Sequence, residues 1–249
     1  MFNNYQTAKA QVHLSKDNLY LLCNCTPSLS SGISLSYKKI STIDPSTFNG
    51  LTSLSTLFLS RNQLTTVNPS LFNGLNSLYY LDISFNQLTT VNPSLFNGLA
   101  KLGFLILSGN QLTTIDSSTF KGLPLVSLRL SYNKLTTIDP STFNKLTKLR
   151  WLYLNNNQLN RIEEGTFKDM INLSYLNLEA NNIVSFNQYA LLGSINLEKL
   201  CLFPNPISNL YPTSMNAICH GNPKCVIFTT VKCPSTNSLN TYFNIFKKQ

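Results

Sequence analysis

The chain has 249 residues, of which 43% are hydrophobic and 12% are charged, so it holds enough apolar side chains for a continuous core. Its 19 Lys and Arg residues oppose 10 Asp and Glu residues, and the formal net charge of +9 loosely favours acidic partners. No run of about 18 or more apolar residues occurs, which excludes a membrane-spanning helix in this chain.

Residues 1–29 are interpreted as an N-terminal segment with part of a cysteine cap. Residues 1–22 are polar and mixed, with Lys9, His13 and Lys16 among them, and they lack the apolar stretch of a secretory signal. A secreted protein needs such a signal, so we expect this chain to be a fragment or to lack its true start.

The cysteines lie only at the two ends of the chain, with none between residues 26 and 200. They are Cys23, Cys25, Cys201, Cys219, Cys225 and Cys233. This placement predicts disulfide-stapled caps and therefore an oxidising, extracellular compartment. The alternative is an intracellular protein with reduced thiols.

A phrase with the spine L-x-x-L-x-L-x-x-N-x-L-x-x-[VI]-x-x-x-x-F recurs between the two groups of cysteines. Its asparagines follow one another in steps of 24 residues, with a single step of 23, and they are Asn62, Asn86, Asn110, Asn133, Asn157, Asn181 and Asn205. Self-similarity at this period predicts a solenoid in which stacked units bury a shared core.

Within one unit, apolar residues alternate about a short strand and recur in a returning segment. Leu57 and Leu59 are predicted to face the core, whereas Phe58 between them faces the opposite side. The asparagine that follows the strand is predicted to satisfy backbone groups of the bend and of the neighbouring coil, so we interpret it as structural. A column in the returning segments is predicted to be internal packing, and it consists of Phe48, Phe72, Phe96, Phe120, Phe143 and Phe167.

Two irregularities interrupt the pattern. Lys38 stands where the first unit should have its asparagine, and terminal units are often atypical. The step of 23 removes one residue near residues 123–125, where we expect a local loop adjustment.

The 24-residue unit with a phenylalanine in its returning segment resembles the extracellular, "typical" class of leucine-rich repeats. The resemblance covers about eight units over residues 30–210. It implies an α/β-type repeat solenoid, a curved horseshoe with a concave parallel β-sheet and a convex side of loops and short helical turns. Cys23-x-Cys25 resembles the end of an N-terminal cap, and residues 211–249 resemble a cysteine-containing C-terminal cap and tail. Toll-like receptor ectodomains and variable lymphocyte receptors are similar by pattern, which implies that ligands meet the concave face.

Two columns flank the core leucines and point out of the predicted concave sheet. Four residues before each asparagine the chain has Phe58, Asp82, Ile106, Arg129, Tyr153, Asn177 and Cys201. Six residues before each asparagine it has Thr56, Tyr80, Phe104, Ser127, Trp151, Tyr175 and Lys199. Drift at exposed positions would tend to leave small or polar residues, so these aromatics predict one exposed patch that binds a ligand. The candidate ligand-binding residues are Phe58, Tyr80, Asp82, Phe85, Phe104, Ile106, Arg129, Tyr132, Trp151, Tyr153 and Tyr175.

Cys201 falls in an outward column, so it is either an exposed thiol or the partner of one of Cys219, Cys225 and Cys233. Four cysteines allow three connectivities, and the sequence does not choose among them. The late cysteines contain no C-x-x-C pair, which argues against zinc, and we expect no metal and no cofactor.

Catalytic constellations are absent from the sequence, so we expect no enzyme activity. The two histidines, His13 and His220, lie at opposite ends, and no phosphate-binding glycine motif occurs. Glu163 and Glu164 are adjacent, which favours two solvated side chains over an acid–base pair.

Two sequons predict N-glycosylation, at Asn24 and at Asn172. Asn172 precedes a strand on the looped side, so its glycan is expected to leave the concave face free.

The predicted concave face mixes positive and negative side chains. Its charged residues are Arg61, Arg129, Arg150, Lys199, Asp82, Glu179 and Glu198. A mixed surface argues against nucleic acid, so a protein ligand is expected, with a glycan or microbial product as the other options.

The sequence therefore predicts a non-enzymatic protein-recognition module that forms the ligand-binding part of a secreted or cell-surface receptor. The alternatives are a structural matrix or adhesion protein and an intracellular leucine-rich-repeat scaffold.

Overall fold

The computed structural model describes residues 11–26, 31–209, 219 and 222–234. Parts of the predicted N-terminal segment (1–29) and of the predicted C-terminal cap (211–249) therefore lie outside the described residues. The boundaries of these three predicted regions stay a prediction.

One parallel sheet of nine short strands dominates the described fold. Eight of its strands come from successive units of the repeat, and they are β2 (Gly32–Ser34), β4 (Thr56–Phe58), β5 (Tyr80–Asp82), β6 (Phe104–Ile106), β7 (Ser127–Arg129), β8 (Trp151–Tyr153), β10 (Tyr175–Asn177) and β12 (Lys199–Cys201). The ninth, β13 (Val226–Phe228), comes from the C-terminal segment and pairs with β12. The predicted solenoid with a parallel sheet is confirmed.

The returning segments are mostly turns and carry only small pieces of regular structure. β1 (Val12–Leu14) pairs with β3 (Ile40–Ile43), and β9 (Arg161–Ile162) pairs with β11 (Ser185–Phe186). One α-helix, α1 (Lys16–Cys23), precedes the sheet, and a 3₁₀ helix (Pro206–Asn209) follows β12. No helix in the described part of the chain is long and apolar enough to cross a membrane.

The N-terminal elements close the first coil. Leu14 of β1 and Leu19 of α1 are buried against its core. His13 contacts Thr42 at 2.7 Å and Asp44 at 3.1 Å, which holds β1 beside β3. This segment therefore covers apolar side chains that the first repeat unit would otherwise expose to water.

The phenylalanine column is internal, as predicted. All six rings are at most 1% exposed, and neighbouring centroids lie 6.1–6.5 Å apart in the four pairs Phe48–Phe72, Phe96–Phe120, Phe120–Phe143 and Phe143–Phe167. Together with the strand leucines they form one core that runs through the whole array.

The asparagine ladder joins each coil to the previous one. Asn86 Oδ1 accepts from the Leu64 backbone N–H at 3.0 Å, and Asn86 Nδ2 donates to the carbonyls of Leu59 at 3.0 Å and Ile83 at 3.1 Å. The Ile83 carbonyl also accepts from Asn110 Nδ2 of the next coil at 3.1 Å. Buried backbone groups need such partners because water does not reach them. The structural interpretation of the asparagines is confirmed.

The 23-residue step leaves the sheet in register. Phe104 pairs with Ser127 and Ile106 with Arg129, in the same alignment as the other strands. The missing residue is therefore absorbed in the turn before β7, as the sequence predicted.

Three disulfides join all six cysteines: Cys23–Cys25, Cys201–Cys233 and Cys219–Cys225. Cys201 has no exposed surface and packs beside Tyr175, so the alternative of an exposed thiol on the last repeat strand is wrong. The partner, Cys233, lies only a few residues after β13, whose pairing with β12 brings the two sulfurs together.

Candidate ligand-binding surface

The concave face presents its side chains in rows because neighbouring strands pair residue for residue. Tyr80 aligns with Phe104, Phe104 with Ser127, and Ser127 with Trp151. The second row runs from Phe58 through Asp82, Ile106, Arg129 and Tyr153 to Asn177. The two columns read from the sequence therefore do lie on one face.

The expectation of a freely exposed patch is wrong for five of the eleven candidate residues, namely Asp82, which is 7% exposed, and four apolar or aromatic residues. Tyr80, Phe104, Ile106 and Tyr175 are only 3%, 2%, 8% and 4% exposed. Parallel strands lie about 4.8 Å apart, so large side chains at one register cover each other sideways. The rings of Phe58 and Tyr80 approach to 5.2 Å, and those of Tyr153 and Tyr175 to 5.1 Å. Much of the predicted patch is a second, smaller core on the concave side.

A groove of about 590 Å³ runs along the carboxyl ends of the strands. We call it the carboxyl groove. Seven of the eleven candidate residues line it: Asp82, Phe85, Ile106, Arg129, Tyr132, Tyr153 and Tyr175. Phe104 and Trp151 line a separate pocket at the amino ends of the strands, and neither site includes Phe58 or Tyr80.

The rim of the carboxyl groove is built from residues with left-handed backbone. Arg61, Phe85 and Tyr132 directly precede ladder asparagines and have φ values of 57°, 52° and 55°. This conformation, uncommon outside glycine, turns the side chain away from the core at the tight bend. Phe85 and Tyr132 are accordingly 45% and 58% exposed.

Arg61 is held between two rings on this rim. Its guanidinium carbon lies 4.3 Å from the Phe85 ring centroid and 5.2 Å from that of Tyr37. Phe85 in turn leans over Gly109, where a Cβ atom would come within 2.6 Å of the ring. The rim therefore offers pre-positioned aromatic and cationic surface, the kind of surface that is enriched at binding hot spots.

Sequence reasoning missed a polar column on the floor of the carboxyl groove. Two residues before the first six of the seven ladder asparagines stand Ser60, Ser84, Ser108, Ser131, Asn155 and Glu179, and all six line the groove. The Ser131 hydroxyl donates to Asn155 Oδ1 at 2.6 Å. The recurring Ser in the phrase L-x-L-S-x-N was the signal that could have revealed this column.

Buried charge shapes both ends of the carboxyl groove. Burial raises the pKa of the Asp82 carboxyl, although the Ser84 and Ser60 hydroxyls, the Ser84 backbone N–H and the charge of Arg129 all oppose that shift. Arg129 stacks on the Tyr153 ring at 4.7 Å. At the other end, Glu179 Oε1 accepts from the Cys233 backbone N–H at 2.6 Å, which ties the C-terminal segment to the sheet.

Replacing Asp82 by Asn should stabilise the protein at neutral pH and leave its stability unchanged below pH 3.8. The pKa of Asp82 in the folded protein lies above the ordinary value of 3.8. The stability that the protonated carboxyl contributes is therefore fully present below pH 3.8 and is lost as the pH rises through the folded-state pKa. Asn does not ionise and keeps an oxygen for the Ser84 N–H, which now donates to Asp82 at 2.9 Å. Melting temperatures at about pH 3 and about pH 7 measure the effect.

Asp116 is the control because its shift has the opposite sign. Its carboxyl is exposed, and hydrogen bonds from Ser118 lower its pKa, so Asp116→Asn should bring no gain at neutral pH. A D82N protein that loses stability between the two pH values as steeply as the unsubstituted protein would contradict the assignment.

The two predicted glycosylation sites, Asn24 and Asn172, are both exposed. Asn24 lies between the bonded Cys23 and Cys25. Asn172 Nδ2 donates to the Thr147 carbonyl at 2.7 Å, and the residue lines the amino-end pocket beside Arg150 and Trp151. Glycosylation at Asn172, and the expectation that its glycan would leave the concave face free, stay predictions.

The described residues contain no group of three or more His, Cys, Asp or Glu side chains placed to hold a metal ion. Glu163 and Glu164 are both exposed. The chemistry that the carboxyl groove can supply is hydrogen bonding, ring contact and charge.

A family model described as "Leucine rich repeat" matches the chain at residues 31–88, 64–112, 77–127, 105–159, 124–183 and 152–207. No curated protein sequence matches this chain.

Among solved structures, a TLR13–ssRNA13 complex is 31% identical with a TM-score of 0.70. It covers 78% of this chain, which spans only 27% of that protein. The Toll–Spatzle complex of Drosophila is similar in fold, at 23% identity and a TM-score of 0.64 over 78% of this chain and 29% of that one. The glycosylated form of the Toll–Spatzle complex is 24% identical with a TM-score of 0.62, again over 78% of this chain and 29% of that one.

Proposed function

The chain belongs to the leucine-rich repeat family, and from this we propose that it is a non-enzymatic recognition module that binds a protein ligand in the carboxyl groove. Residues 30–210 would be the binding array and the cysteine-bearing segments its caps. The groove's combination of exposed rim aromatics with a hydroxyl- and amide-lined floor carries the proposal.

The physical case rests on preorganisation. Phe85 and Tyr132 present apolar surface from backbone that the ladder asparagines already fix. Rings with few rotatable bonds lose little entropy on binding, and the groove pays almost no ordering cost. The floor offers hydrogen-bond donors and acceptors that fix the orientation of a ligand.

Charge favours a protein over a polyanion in this groove. Arg61, Arg129 and Lys232 line it together with Asp82 and Glu179, so the lining carries both signs of charge. A mixed lining suits the mixed surface of a protein, and an acidic polymer would meet like charge at both buried carboxylates. A glycan or microbial product would use the same hydroxyl floor.

The comparison with TLR13 withdraws our general exclusion of nucleic acid, because that similar structure was solved with single-stranded RNA. The Toll structure was solved with Spatzle. Three disulfides support an extracellular or cell-surface location, and they count against an intracellular scaffold. A matrix or adhesion role remains the second candidate, and it predicts tolerance of groove substitutions.

Affinity capture with matched variants tests the proposal. The immobilised protein is incubated with extracellular fluid of its source, and bound proteins are quantified by mass spectrometry. Phe85→Ala combined with Tyr132→Ala should reduce capture of at least one partner by about tenfold or more, since hot-spot truncations cost about 2 kcal/mol or more. Both side chains are exposed, so the melting temperature should hardly change.

A control variant removes a comparable apolar area from the convex side. Tyr189 and Leu192 are 45% and 53% exposed there, and Tyr189→Ala with Leu192→Ala should retain the partner. Equal loss in both double variants, or retention in both, would refute binding through the carboxyl groove.

A further inference from the structure

A second pocket, of about 310 Å³, opens at the amino ends of β5 to β8. We call it the amino pocket. A chain of backbone hydrogen bonds crosses this region from coil to coil. The Gly103 N–H donates to the Tyr79 carbonyl, the Val126 N–H to the Gly103 carbonyl, and the Arg150 N–H to the Val126 carbonyl. Tyr79 and Trp151 therefore stand on coils three strand spacings apart, about 14 Å.

Two aromatic walls bound the amino pocket. Tyr79 folds across Gly103, where a Cβ atom would come within 2.5 Å of its ring, and it meets Phe104 edge-on at 5.3 Å. Trp151 is half-buried on the other side, and the smaller Val126 lies between the walls. Gly103 lets the Tyr79 ring lie flat across its backbone, and the open space remains over the smaller Val126 between Tyr79 and Trp151.

The charge of the amino pocket has one sign. Lys148 and Arg150 line it and are exposed, and none of the chain's ten carboxylates does. Within the described residues the single ion pair is His13–Asp44, so no carboxylate within ion-pair distance neutralises these two cations. Lys148 and Arg150 are two residues apart, at most about 7 Å along the backbone, so they can contact one phosphate or two adjoining ones.

We propose that the amino pocket binds single-stranded nucleic acid, with phosphates on Lys148 and Arg150 and a base stacked on Trp151 or Tyr79. Adjacent cations and ring faces are what a single strand requires, because each nucleotide carries one phosphate and one planar base. An acidic peptide would use the cations but not the rings. A sugar would need several acceptors for its hydroxyls, and the lining residue Asn172 supplies the only side-chain amide.

The single tryptophan makes this site directly observable. Trp151 is the only tryptophan in the chain, so selective excitation reports on the amino pocket alone. In protein that carries no glycan on the lining residue Asn172, a thymidine oligonucleotide of about 12 nucleotides should quench this fluorescence saturably at low salt. Lys148→Ala with Arg150→Ala should weaken binding by about tenfold or more. The same variant should make the slope of log affinity against log salt shallower by about 1.4, since each single-strand phosphate contact contributes about 0.7.

Two controls separate a site from general charge attraction. Lys121→Ala with Lys168→Ala removes the same charge from exposed positions outside the amino pocket and should leave the affinity nearly unchanged. F85A/Y132A should also keep it, since neither residue lines the amino pocket, so this proposal and the proposed function fail independently. Melting curves confirm that each variant is folded.

Absence of quenching would overturn the proposal. So would equal losses in the two lysine-containing variants, which would show a diffuse electrostatic effect. A polyglutamate peptide that quenches as strongly as the oligonucleotide would assign the pocket to acidic protein segments instead.

Discussion

Replacing Asn110 by Ala should lower the free energy of unfolding by about 3 kcal/mol. Asn110 Oδ1 is the side-chain acceptor for the buried Leu88 N–H at 3.1 Å. Its Nδ2 donates to the carbonyls of Ile83 and Leu107, which also accept from Asn86 and Asn133 respectively. The carbonyls therefore keep one partner after the substitution, whereas the Leu88 N–H loses the acceptor that the ladder provides. Most of the expected loss comes from that buried donor.

Urea unfolding followed by circular dichroism measures this loss. Asn97→Ala is the control, because Asn97 belongs to an exposed turn of the preceding coil and should change stability by less than about 0.5 kcal/mol. If both variants unfold at the same urea concentration as the unsubstituted protein, the ladder does not hold the coils together.

Replacing Phe120 by Ala should cost about 3–5 kcal/mol, because it opens a cavity in the middle of the phenylalanine column. Phe120 is fully buried, and its ring lies 6.5 Å from that of Phe96 and 6.4 Å from that of Phe143. Both neighbours are fixed by their own coils, so they have little freedom to fill the space. The damage should spread to adjacent units, since each coil is stable only against its neighbours.

Phe85→Ala supplies the control for the phenylalanine column, since it removes the same side chain from the exposed rim. We expect a change of about 1 kcal/mol or less for this variant, because only the ring contacts with Arg61 and Gly109 are lost, measured by the same urea unfolding. Comparable losses for the two substitutions would mean that the column is not the principal core.

The fold could be read from the sequence because the repeats act as their own controls. Leu57 and Leu59 recur as core and Phe58 as the opposite face, and the structure places them so. The ninth strand, β13, could not be read in this way because Val226–Phe228 belongs to no repeat unit. The Cys201–Cys233 bond depends on that strand, so the sequence left its pairing open.

The candidate site was predicted in part. The register placed Tyr80 and Phe104 on the concave face, but their exposure depends on how neighbouring rings cover one another. The charges counted over the whole concave face suggested one mixed surface. In the structure these charged residues are divided between two separate sites. Asp82 and Glu179 line the carboxyl groove, and Arg150 lines the amino pocket. Sequence spacing gives the register of a side chain but not the end of the strand toward which it leans.

Oxidative footprinting of the protein alone and with its captured partner tests binding through the carboxyl groove most directly. We predict that Phe85 and Tyr132 become protected from labelling in the complex, since both are exposed on the groove rim in the free protein. Tyr189, exposed on the convex side, should label equally in both states. Protection of Tyr189 with unchanged labelling of Phe85 and Tyr132 would contradict the account and place the partner on the convex side.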